Sequence, residues 1–326
     1  MRFSGIRTHG FFLASGGGCP ISACNIARFH PCQGRAMPVL SLQSSVVQGH
    51  VGNSAAVLPL QALGQEVWAV NTVVLSNHPG RGQFKGRGVP PAEAAALVEG
   101  LGAQGLFARC EAVLSGYLGD PGMGATVAAA VGAIRSQNGA CFYVCDPVMG
   151  DADLAQGEGL YVRPELPAVF RDMLVPLADI VTPNRFELGV LTGAQPSSLR
   201  ETKEAVAALR DRMAATGPRI VCVTSYDGAD VPDDSIDTLL FCEEGTWSVR
   251  QPRLARRFDG AGDVFAALYL GYYLRTLNAL TALERATATM VPVLAMTDER
   301  GQTDLALTEA LPFLVDARTR FIAELI

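Results

Sequence analysis

A carboxylate stands directly behind a glycine turn in the segment "FDGAGDVFAA", residues 258–267. The apolar residues that follow predict a buried helix, so Gly260, Ala261 and Gly262 would lie at its start. There the amides are free to bind an anion, and glycine lets a phosphate come close. Asp263 would repel such a phosphate unless it takes a proton from the attacking group. The segment indicates phosphoryl transfer with Asp263 as general base, or else an ordinary helix with an acid in its first turn.

A second acidic motif, "CDPVMGD", follows an apolar run that predicts a strand. Asp146 would end this strand, because Pro147 prevents a regular continuation. A carboxylate at this place could help to hold Mg²⁺, through water, with assistance from Asp151. A turn aspartate that caps its own backbone is the open alternative.

The motif "TPNRFE" contains an asparagine followed three residues later by a glutamate. Asn184 as N-cap and Glu187 at the third helical position form a variant of the capping box. This structural role does not exclude a second one. Glu187 could orient a metal-bound water while Thr182 faces a nucleotide.

Other phosphate-binding signatures are missing from the sequence. It contains no G-x-x-x-x-G-K-[ST] loop and no protein-kinase motifs. The glycine-rich stretch "GRGQFKGRG", residues 80–88, does not fit G-x-G-x-x-G, and no strand-to-helix junction surrounds it. We interpret this stretch as a mobile flap over the site rather than as a phosphate loop.

From Met37 onward, short apolar runs alternate with helical patterns. The runs that predict strands are "VLSLQ", "VWAVNT", "AVLSG", "CFYVCDP", "DIVTPN" and "RIVCVTS". The segments that predict helices between them are 53–63, 91–104, 123–136, 185–192 and 200–215. This alternation predicts one α/β domain with a largely parallel central sheet and helices on both faces. A hairpin near 239–250 adds an antiparallel patch, and further helices complete the chain.

Polar residues follow the ends of several predicted strands. In open parallel sheets, ligands bind beyond the carboxyl ends of the strands. The residues expected at this edge are Ser44, Tyr117, Asp146, Asn184, Glu187 and Thr224. Their convergence predicts an active site rather than a structural scaffold.

The composition argues against several classes of function. The 326 residues are 49% hydrophobic and 18% charged, which is typical of a globular protein with a sizeable core. The formal net charge of −6 and the lack of long basic runs argue against nucleic-acid binding. No apolar run approaches the roughly 20 residues that span a bilayer, so we expect no membrane partner. The eight scattered cysteines predict a reducing compartment, without a disulfide framework or a zinc site.

Residues 1–36 differ from the rest of the chain. They contain four arginines and no acid, and the first acidic residue is Glu66. Leaders of this kind can be organelle transit peptides. The other interpretation is an upstream start, with Met37 opening the folded chain. Both predict a disordered leader before one domain at 37–326, which would be cytoplasmic unless the leader directs it to an organelle.

The motifs and their order resemble the pyridoxal kinases of the ribokinase-like superfamily. The matching segments, between Val39 and about Thr276, are "LQSSVVQGHVGN", "NTVVLSNH", "LSGYLGD", "CDPVMGD", "TPNRFE", "VCVTS" and "FDGAGDVFAA". The resemblance implies a ribokinase-like domain that transfers phosphate from MgATP to the 5′-hydroxymethyl group of pyridoxal, pyridoxine or pyridoxamine. It also implies a monovalent cation, K⁺, as activator and a homodimer as assembly.

The same resemblance implies roles for individual residues. Asp263 would be the base, and Gly260, Ala261 and Gly262 would form the anion hole. The residues implied at the vitamer are Ser44, Asn77, Tyr117 and Asp263. The residues implied at ATP and its cations are Asp146, Thr182, Asn184, Glu187, Thr224 and Ser225, with Asp151 assisting at the metal.

Three residues depart from the family pattern. Pro79 stands where a threonine is usual, the residues after it lack a common tyrosine and add Arg81, and Asp259 precedes the anion hole where an apolar residue or threonine is usual. Two other functions stay open: a hydroxymethylpyrimidine kinase of thiamine synthesis, and a B6-binding protein with weak catalysis. A dinucleotide-binding oxidoreductase is disfavoured, because G-x-G-x-x-G does not follow the first strand.

Overall fold

The computed structural model describes residues 37–151, 159–316 and 320–326. The leader predicted for residues 1–36 lies outside the described residues. The described strands form one ten-stranded sheet with helices packed against it.

The centre of the sheet consists of parallel strands. In spatial order they are β2 (Gln65–Leu75), β1 (Met37–Val46), β4 (Ala112–Ser115), β5 (Phe142–Cys145), β6 (Ile180–Val181) and β7 (Ile220–Tyr226). Each of these strands pairs in parallel with its neighbour. Most of their residues are apolar and buried, as expected for strands covered on both faces. The prediction of a largely parallel sheet is confirmed.

Antiparallel strands extend the sheet at both edges. β3 (Gly86–Gly88) pairs with β2, so the end of the predicted flap is an edge strand. At the other edge, the predicted hairpin is confirmed as β8 (Ser235–Cys242) and β9 (Gly245–Pro252). β10 (Glu324–Leu325) pairs with β9. No sequence pattern predicts β3 or β10, because neither "GRG" nor "EL" forms an apolar run like the one that predicts the equally short β6.

Helices cover both faces of the sheet, as predicted. One face carries α1 (Asn53–Ala62), α7 (Ala261–Thr276), α8 (Ala279–Glu299) and α9 (Leu311–Val315). The other face carries α2 (Pro91–Ala103), α3 (Gly122–Arg135), α4 (Leu166–Val169), α5 (Arg185–Thr192) and α6 (Leu199–Arg210). Short 3₁₀ turns lie at Pro79–Arg81, Leu106–Arg109 and Val175–Leu177, and a π turn lies at Phe170–Leu174. Within the described ranges, no helix combines the length and the apolar composition that crossing a membrane requires.

Helix α7 is buried on almost every side. Its residues from Asp263 to Leu274 are buried, in the core that it forms with the sheet, α1 and α8. A helix that is apolar all round is stable only in such surroundings. Tight packing of this stretch anchors the helix directly behind the glycine turn.

The predicted end of the first strand is wrong. β1 continues to Val46, so Ser44 lies inside the strand and not after it. The register of pairing with β2 shifts between Gln43 and Ser45, because two residues of β2, Thr72 and Val73, lie opposite Ser44. The extra residue of this bulge therefore belongs to β2. A bulge redirects a side chain while pairing resumes beyond it, so the strand does not end at the polar residue.

The predicted position of Thr224 after the seventh strand is wrong for the same reason. β7 continues to Tyr226, so Thr224 and Ser225 lie within it. The register with β8 shifts between Val223 and Tyr226. Ser225 has a φ of +51°, a left-handed conformation that costs energy for a residue with a side chain.

Candidate active site

The two glycines of the turn before α7 have different surroundings: one is tightly packed and the other faces open space. Gly260 caps the helix with a φ of +81°, and a Cβ atom there would lie 1.8 Å from the carbonyl oxygen of His50. At Gly262 an added Cβ would meet no atom within 4 Å. The first glycine is therefore needed for close packing, whereas the second keeps space free beside the amides at the helix start.

Asp263 follows this turn as a buried carboxylate with one free oxygen. Its Oδ2 accepts a hydrogen bond from the amide of Gly52 at 2.9 Å. Its Oδ1 has no hydrogen-bond partner among the described residues. Burial raises the pKa of Asp263 to about 6, and the bond from Gly52 opposes this rise. The carboxylate is charged at neutral pH and can accept a proton through Oδ1.

The loop before α1 connects Ser44 of the first strand to this carboxylate. Gly52 has a φ of +55° and forms the N-cap of α1. An added Cβ at Gly52 would lie 2.2 Å from the carbonyl oxygen of Ser44 and 2.5 Å from its Oγ. Only glycine fits there. Ser44, Gly52 and Asp263 therefore form one contact group, although 211 positions separate Gly52 from Asp263.

A second buried carboxylate lies beyond the end of β5. Asp146 is 4% exposed, and its Oδ1 accepts a hydrogen bond from Oγ1 of Thr182 at 2.8 Å. Its Oδ2 has no partner within the described part of the chain. Burial and then the charge of Asp263 raise the pKa of Asp146 to about 8, while the Thr182 hydroxyl opposes the rise. Asp146 and Asp263 therefore share one buried site.

The predicted capping box at the start of α5 is confirmed. The side chain of Asn184 accepts a hydrogen bond from the amide of Glu187 at 2.8 Å, and Oε2 of Glu187 accepts one from the amide of Asn184 at 2.9 Å. Glu187 also accepts the amide of Met149 at 2.9 Å, which connects α5 to the loop behind Asp146. Burial and then the charge of Asp146 raise the pKa of Glu187 well above its usual value.

Thr224 and Ser225 lie beside this helix start. The amide of Thr224 donates a hydrogen bond to the carbonyl of Pro183 at 2.9 Å, and Thr224 forms an isolated bridge with Asn184. Thr224 is half-buried and Ser225 is exposed. The structure thus brings Asp146, Thr182, Asn184, Glu187 and Thr224 together at one edge of the sheet, and Thr224 reaches this edge from within β7 rather than from beyond its end.

Comparison with known proteins gives the family. Residues 86–304 match the model of the phosphomethylpyrimidine kinase family. Pyridoxal kinase PdxY of Granulibacter bethesdensis is 43% identical over 289 residues, which cover 89% of this chain and 100% of that relative. The chain belongs to the pyridoxal kinase family. PdxY of Deinococcus radiodurans is 44% identical over 288 residues, which cover 88% of this chain and 95% of the relative.

The fold agrees with that of a solved pyridoxal kinase. The structure of the enzyme from Leishmania donovani, in complex with ADP and pyridoxine, matches with a TM-score of 0.80 at 31% identity. The match covers 89% of this chain and 99% of that chain. The expected ribokinase-like fold is therefore confirmed.

Two residues that the pyridoxal kinase resemblance places at the vitamer are tied into their own surroundings. Tyr117 follows β4, and its carbonyl accepts a hydrogen bond from Oγ1 of Thr72 at 2.6 Å. Burial raises the pKa of its phenol. The amide nitrogen of Asn77 donates to the carbonyls of His78 and Gln83, each at 3.2 Å. Asn77 therefore braces its own loop, and its contact with a vitamer stays a prediction.

The predicted metal ligands are not all brought together. Asp151 pairs with Arg257, with 2.7 Å between Oδ2 and Nη2. Among the residues that the structure describes, no three Asp, Glu, His or Cys side chains form a metal-binding group. The unpartnered Oδ2 of Asp146 is the atom that fits a cation best. One carboxylate with water in the remaining positions suits Mg²⁺, which dehydrates reluctantly.

Tyr161 lies near the acids of this group, although no sequence pattern indicates it. Burial and then the charges of Glu187, Asp263 and Asp146 raise the pKa of its hydroxyl well above the usual value. Nevertheless, 49% of Tyr161 is exposed. The amide of Tyr161 donates a hydrogen bond to the carbonyl of Met149 at 3.0 Å, so its backbone is held beside the loop that follows Asp146.

Two of the three departures from the pyridoxal kinase pattern contact each other. Nη2 of Arg81 donates a hydrogen bond to Oδ2 of Asp259 at 3.0 Å. The acid next to the glycine turn is therefore paired. Because 178 positions separate the two residues, only the folded structure reveals the pair.

Proposed function

We propose that this chain uses ATP to phosphorylate the 5′-hydroxymethyl group of a B6 vitamer, which is the activity of pyridoxal kinase. One observation carries the proposal: the buried Asp263 keeps one carboxylate oxygen free directly behind the glycine turn that begins α7. The relatives support the same activity, since they are named pyridoxal kinases, and the enzyme of L. donovani binds ADP and pyridoxine.

Direct transfer is the proposed mechanism. Oδ1 of Asp263 takes the proton of the 5′-hydroxyl as the hydroxyl oxygen attacks the γ-phosphorus. The bond between that phosphorus and ADP breaks opposite the attacking oxygen, and ADP leaves with the electron pair. The amides of residues 260–263 stabilise the charge on the transferred group. The amide of Gly52 holds the other carboxylate oxygen, so the base does not need to reorganise.

The ATP side of the site is proposed from the second group of contacts. Mg²⁺ would be held by Oδ2 of Asp146, with Asp151 and Glu187 acting through water. When bound, the ion neutralises phosphate charge. The hydroxyl of Thr182 keeps the Asp146 carboxylate oriented. The residues proposed to face the nucleotide are Asp146, Thr182, Asn184, Glu187, Thr224 and Ser225.

The vitamer side is proposed to consist of Ser44, Asn77 and Tyr117 beside Asp263. Ser44 supports this assignment best, because it touches the Gly52 position that binds the base. We also propose K⁺ as activator, a homodimer, a kinase domain at 37–326 and a cytoplasmic location. Replacing K⁺ by tetramethylammonium tests the cation, and light scattering of the purified protein tests the assembly.

The test of the function is a substrate comparison with the full chain. The purified protein is incubated with ATP, Mg²⁺ and K⁺ and, in separate reactions, with pyridoxal, pyridoxine, pyridoxamine and hydroxymethylpyrimidine. The product is identified by mass spectrometry and by the position of the phosphate. We expect a 5′-phosphate on at least one B6 vitamer, with a higher kcat/KM than for hydroxymethylpyrimidine.

Hydroxymethylpyrimidine kinase is the second candidate, because the matching family model is named for phosphomethylpyrimidine kinase. A higher kcat/KM for the pyrimidine would favour it over the proposal. Binding of pyridoxal without turnover of any alcohol would instead indicate a B6-binding protein.

A further inference from the structure

A cluster of charged side chains lies beside the site but plays no part in the proposed transfer. Arg81, Asp259 and Asp304, together called the latch, come from three separate parts of the chain. Arg81 belongs to the loop between β2 and β3, Asp259 directly precedes Gly260, and Asp304 follows α8. The latch therefore connects the flap, the glycine turn and the C-terminal part of the domain.

Arg81 contacts both acids of the latch. Its Nε and Nη2 donate to Oδ2 of Asp259 at 3.2 and 3.0 Å, and Nη2 lies 3.4 Å from Oδ1 of Asp304. The exposed fraction of the side chain is 25% for Arg81, 24% for Asp259 and 19% for Asp304. Arg81 as a whole residue is nevertheless exposed, so solvent screens these pairs in part.

The local backbone places Arg81 at this position. His78 is extended, as is usual before proline, and Pro79 begins a 3₁₀ turn that ends at Arg81. The amide of Arg81 donates to the carbonyl of His78 at 3.1 Å and closes the turn. Nδ1 of His78 also lies 3.7 Å from Oδ1 of Asp259. Pro79, Arg81 and Asp259, the three departures from the family pattern, thus belong to one structural unit.

Asp304 ties the latch to the loop that also carries Gly52. Its carboxylate accepts the amide of His50 at 2.9 Å and the side-chain amide of Gln48 at 3.1 Å. The imidazole of His50 lies 3.5 Å from the same carboxylate. Asp304 also bridges to Asp259 through the backbone. The two acids therefore have different surroundings. Asp304 has other hydrogen-bond donors, whereas in the described part of the chain the side-chain hydrogen bonds to Asp259 come from Arg81.

The position of Asp259 gives the Arg81 contact its importance. Asp259 lies one residue before the turn whose amides are proposed to hold the terminal phosphate of ATP. An uncompensated carboxylate there opposes an anion, because like charges at close range in a partly buried site repel strongly. The guanidinium of Arg81 removes this opposition and at the same time ties the flap to the turn.

We propose that Arg81 is a positioning residue that neutralises Asp259 beside the anion hole and fastens the flap to the glycine turn. The proposal deepens the kinase function above and rests on it. Arg81 acts through Asp259 and does not touch the reacting atoms. Its two effects are separable, since the charge balance can be restored by a second substitution whereas the tether cannot.

The experiment compares Arg81→Gln, Asp259→Asn and the double variant Arg81→Gln/Asp259→Asn. Arg87→Gln is the matched control, because Arg87 lies in the same flap but pairs with the exposed Glu93. For each protein we measure KM for ATP and kcat with saturating pyridoxal. We also measure the binding of ATP without vitamer by calorimetry, and the rate at which trypsin cleaves after Lys85.

We expect Arg81→Gln to raise KM for ATP about tenfold with a smaller change in kcat, and Asp259→Asn not to raise it. The double variant should return to within about threefold of the parent. Cleavage after Lys85 should accelerate in Arg81→Gln and stay fast in the double variant, because both lack the tether. Arg87→Gln should leave the KM for ATP unchanged.

The proposed neutralisation of Asp259 is overturned if the double variant binds ATP no better than Arg81→Gln, or if Arg87→Gln is equally impaired. The proposed fastening of the flap is overturned if trypsin cleaves after Lys85 equally slowly in all proteins. If the parent phosphorylates none of the alcohols, the proposed function fails. The order of ATP affinities from calorimetry still tests the latch in that case.

Discussion

The backbone amide of Gly52 donates a hydrogen bond to Oδ2 of Asp263 at 2.9 Å, and Oδ1 of the same carboxylate has no partner in the described residues. This bond joins the start of α1 to the start of α7. It gives the two oxygens different tasks, because one is fixed by the protein and the other is free to receive a proton. A carboxylate held in this way is preorganised for base catalysis.

The two glycines of the turn should fail in different ways when each is replaced by alanine. Gly260→Ala should lower the free energy of unfolding by about 2 kcal/mol or more, because φ is +81° and the new Cβ would meet His50. Gly262→Ala should keep or slightly raise stability, since alanine favours the helix. It should nevertheless reduce kcat/KM for ATP at least tenfold by filling the phosphate space. Urea unfolding and steady-state kinetics check both, and a fully active Gly262→Ala protein would contradict the anion hole.

The pKa of Asp263 predicts an acid limb in the pH–rate profile. Burial raises this pKa to about 6, and a general base must be deprotonated. We expect kcat/KM for ATP to be level above this pH and to fall about tenfold per pH unit below it. The profile is measured with pyridoxine as well as pyridoxal, because ionisation of the vitamer itself differs between them. A profile that stays level down to pH 4.5 would argue against Asp263 as the base.

The buried carboxylates should lower the stability of the ligand-free protein at high pH. Burial raises the pKa of Asp263 from its ordinary value of 3.8 to about 6. Burial and then the charge of Asp263 raise the pKa of Asp146 from 3.8 to about 8. Between pH 3.8 and about 8 the folded state then binds more protons than the unfolded state. Their contribution to the free energy of unfolding therefore falls as pH rises through this window.

Asp146→Asn removes this ionisation, so the variant should exceed the parent in stability at pH 8 by at least about 2 kcal/mol, and by less at pH 5. Urea unfolding at the two pH values measures the difference. Asp233→Asn, in an exposed loop, is the matched control. A variant that is equally or less stable than the parent at pH 8 would show that the buried charge is compensated.

Local sequence patterns predict much of this fold. Near-continuous apolar runs predict the parallel strands, and the spacing of Asn184 and Glu187 predicts the capping box that forms. The glycines before an apolar segment predict the turn at the start of α7. Each of these features depends on neighbouring residues, whose preferences act in the same direction as the final packing.

Features that depend on distant residues are not predictable from one sequence in this way. The bulge of β2 opposite Ser44 depends on the pairing of β1 with β2, and Ser44 itself packs against Gly52 of a later loop. The partner of Asp151 is Arg257, 106 positions away. From the sequence, Asp259 beside the proposed anion hole could repel a phosphate. The structure shows that it accepts a hydrogen bond from Arg81 of the flap. Such pairs obey no local periodicity, so the folded chain alone reveals them.

Replacement of Asp263 by asparagine tests the central claim most directly. Asparagine keeps an oxygen for the amide of Gly52 and has nearly the same shape, so the fold and the binding of pyridoxal and ATP should persist. We measure kcat with pyridoxal and, by calorimetry, the dissociation constants of both ligands. A loss of roughly 10²-fold or more in kcat, with dissociation constants within about threefold of the parent, is the expected result. A variant that keeps the kcat of the parent would contradict the assignment of Asp263 as the base.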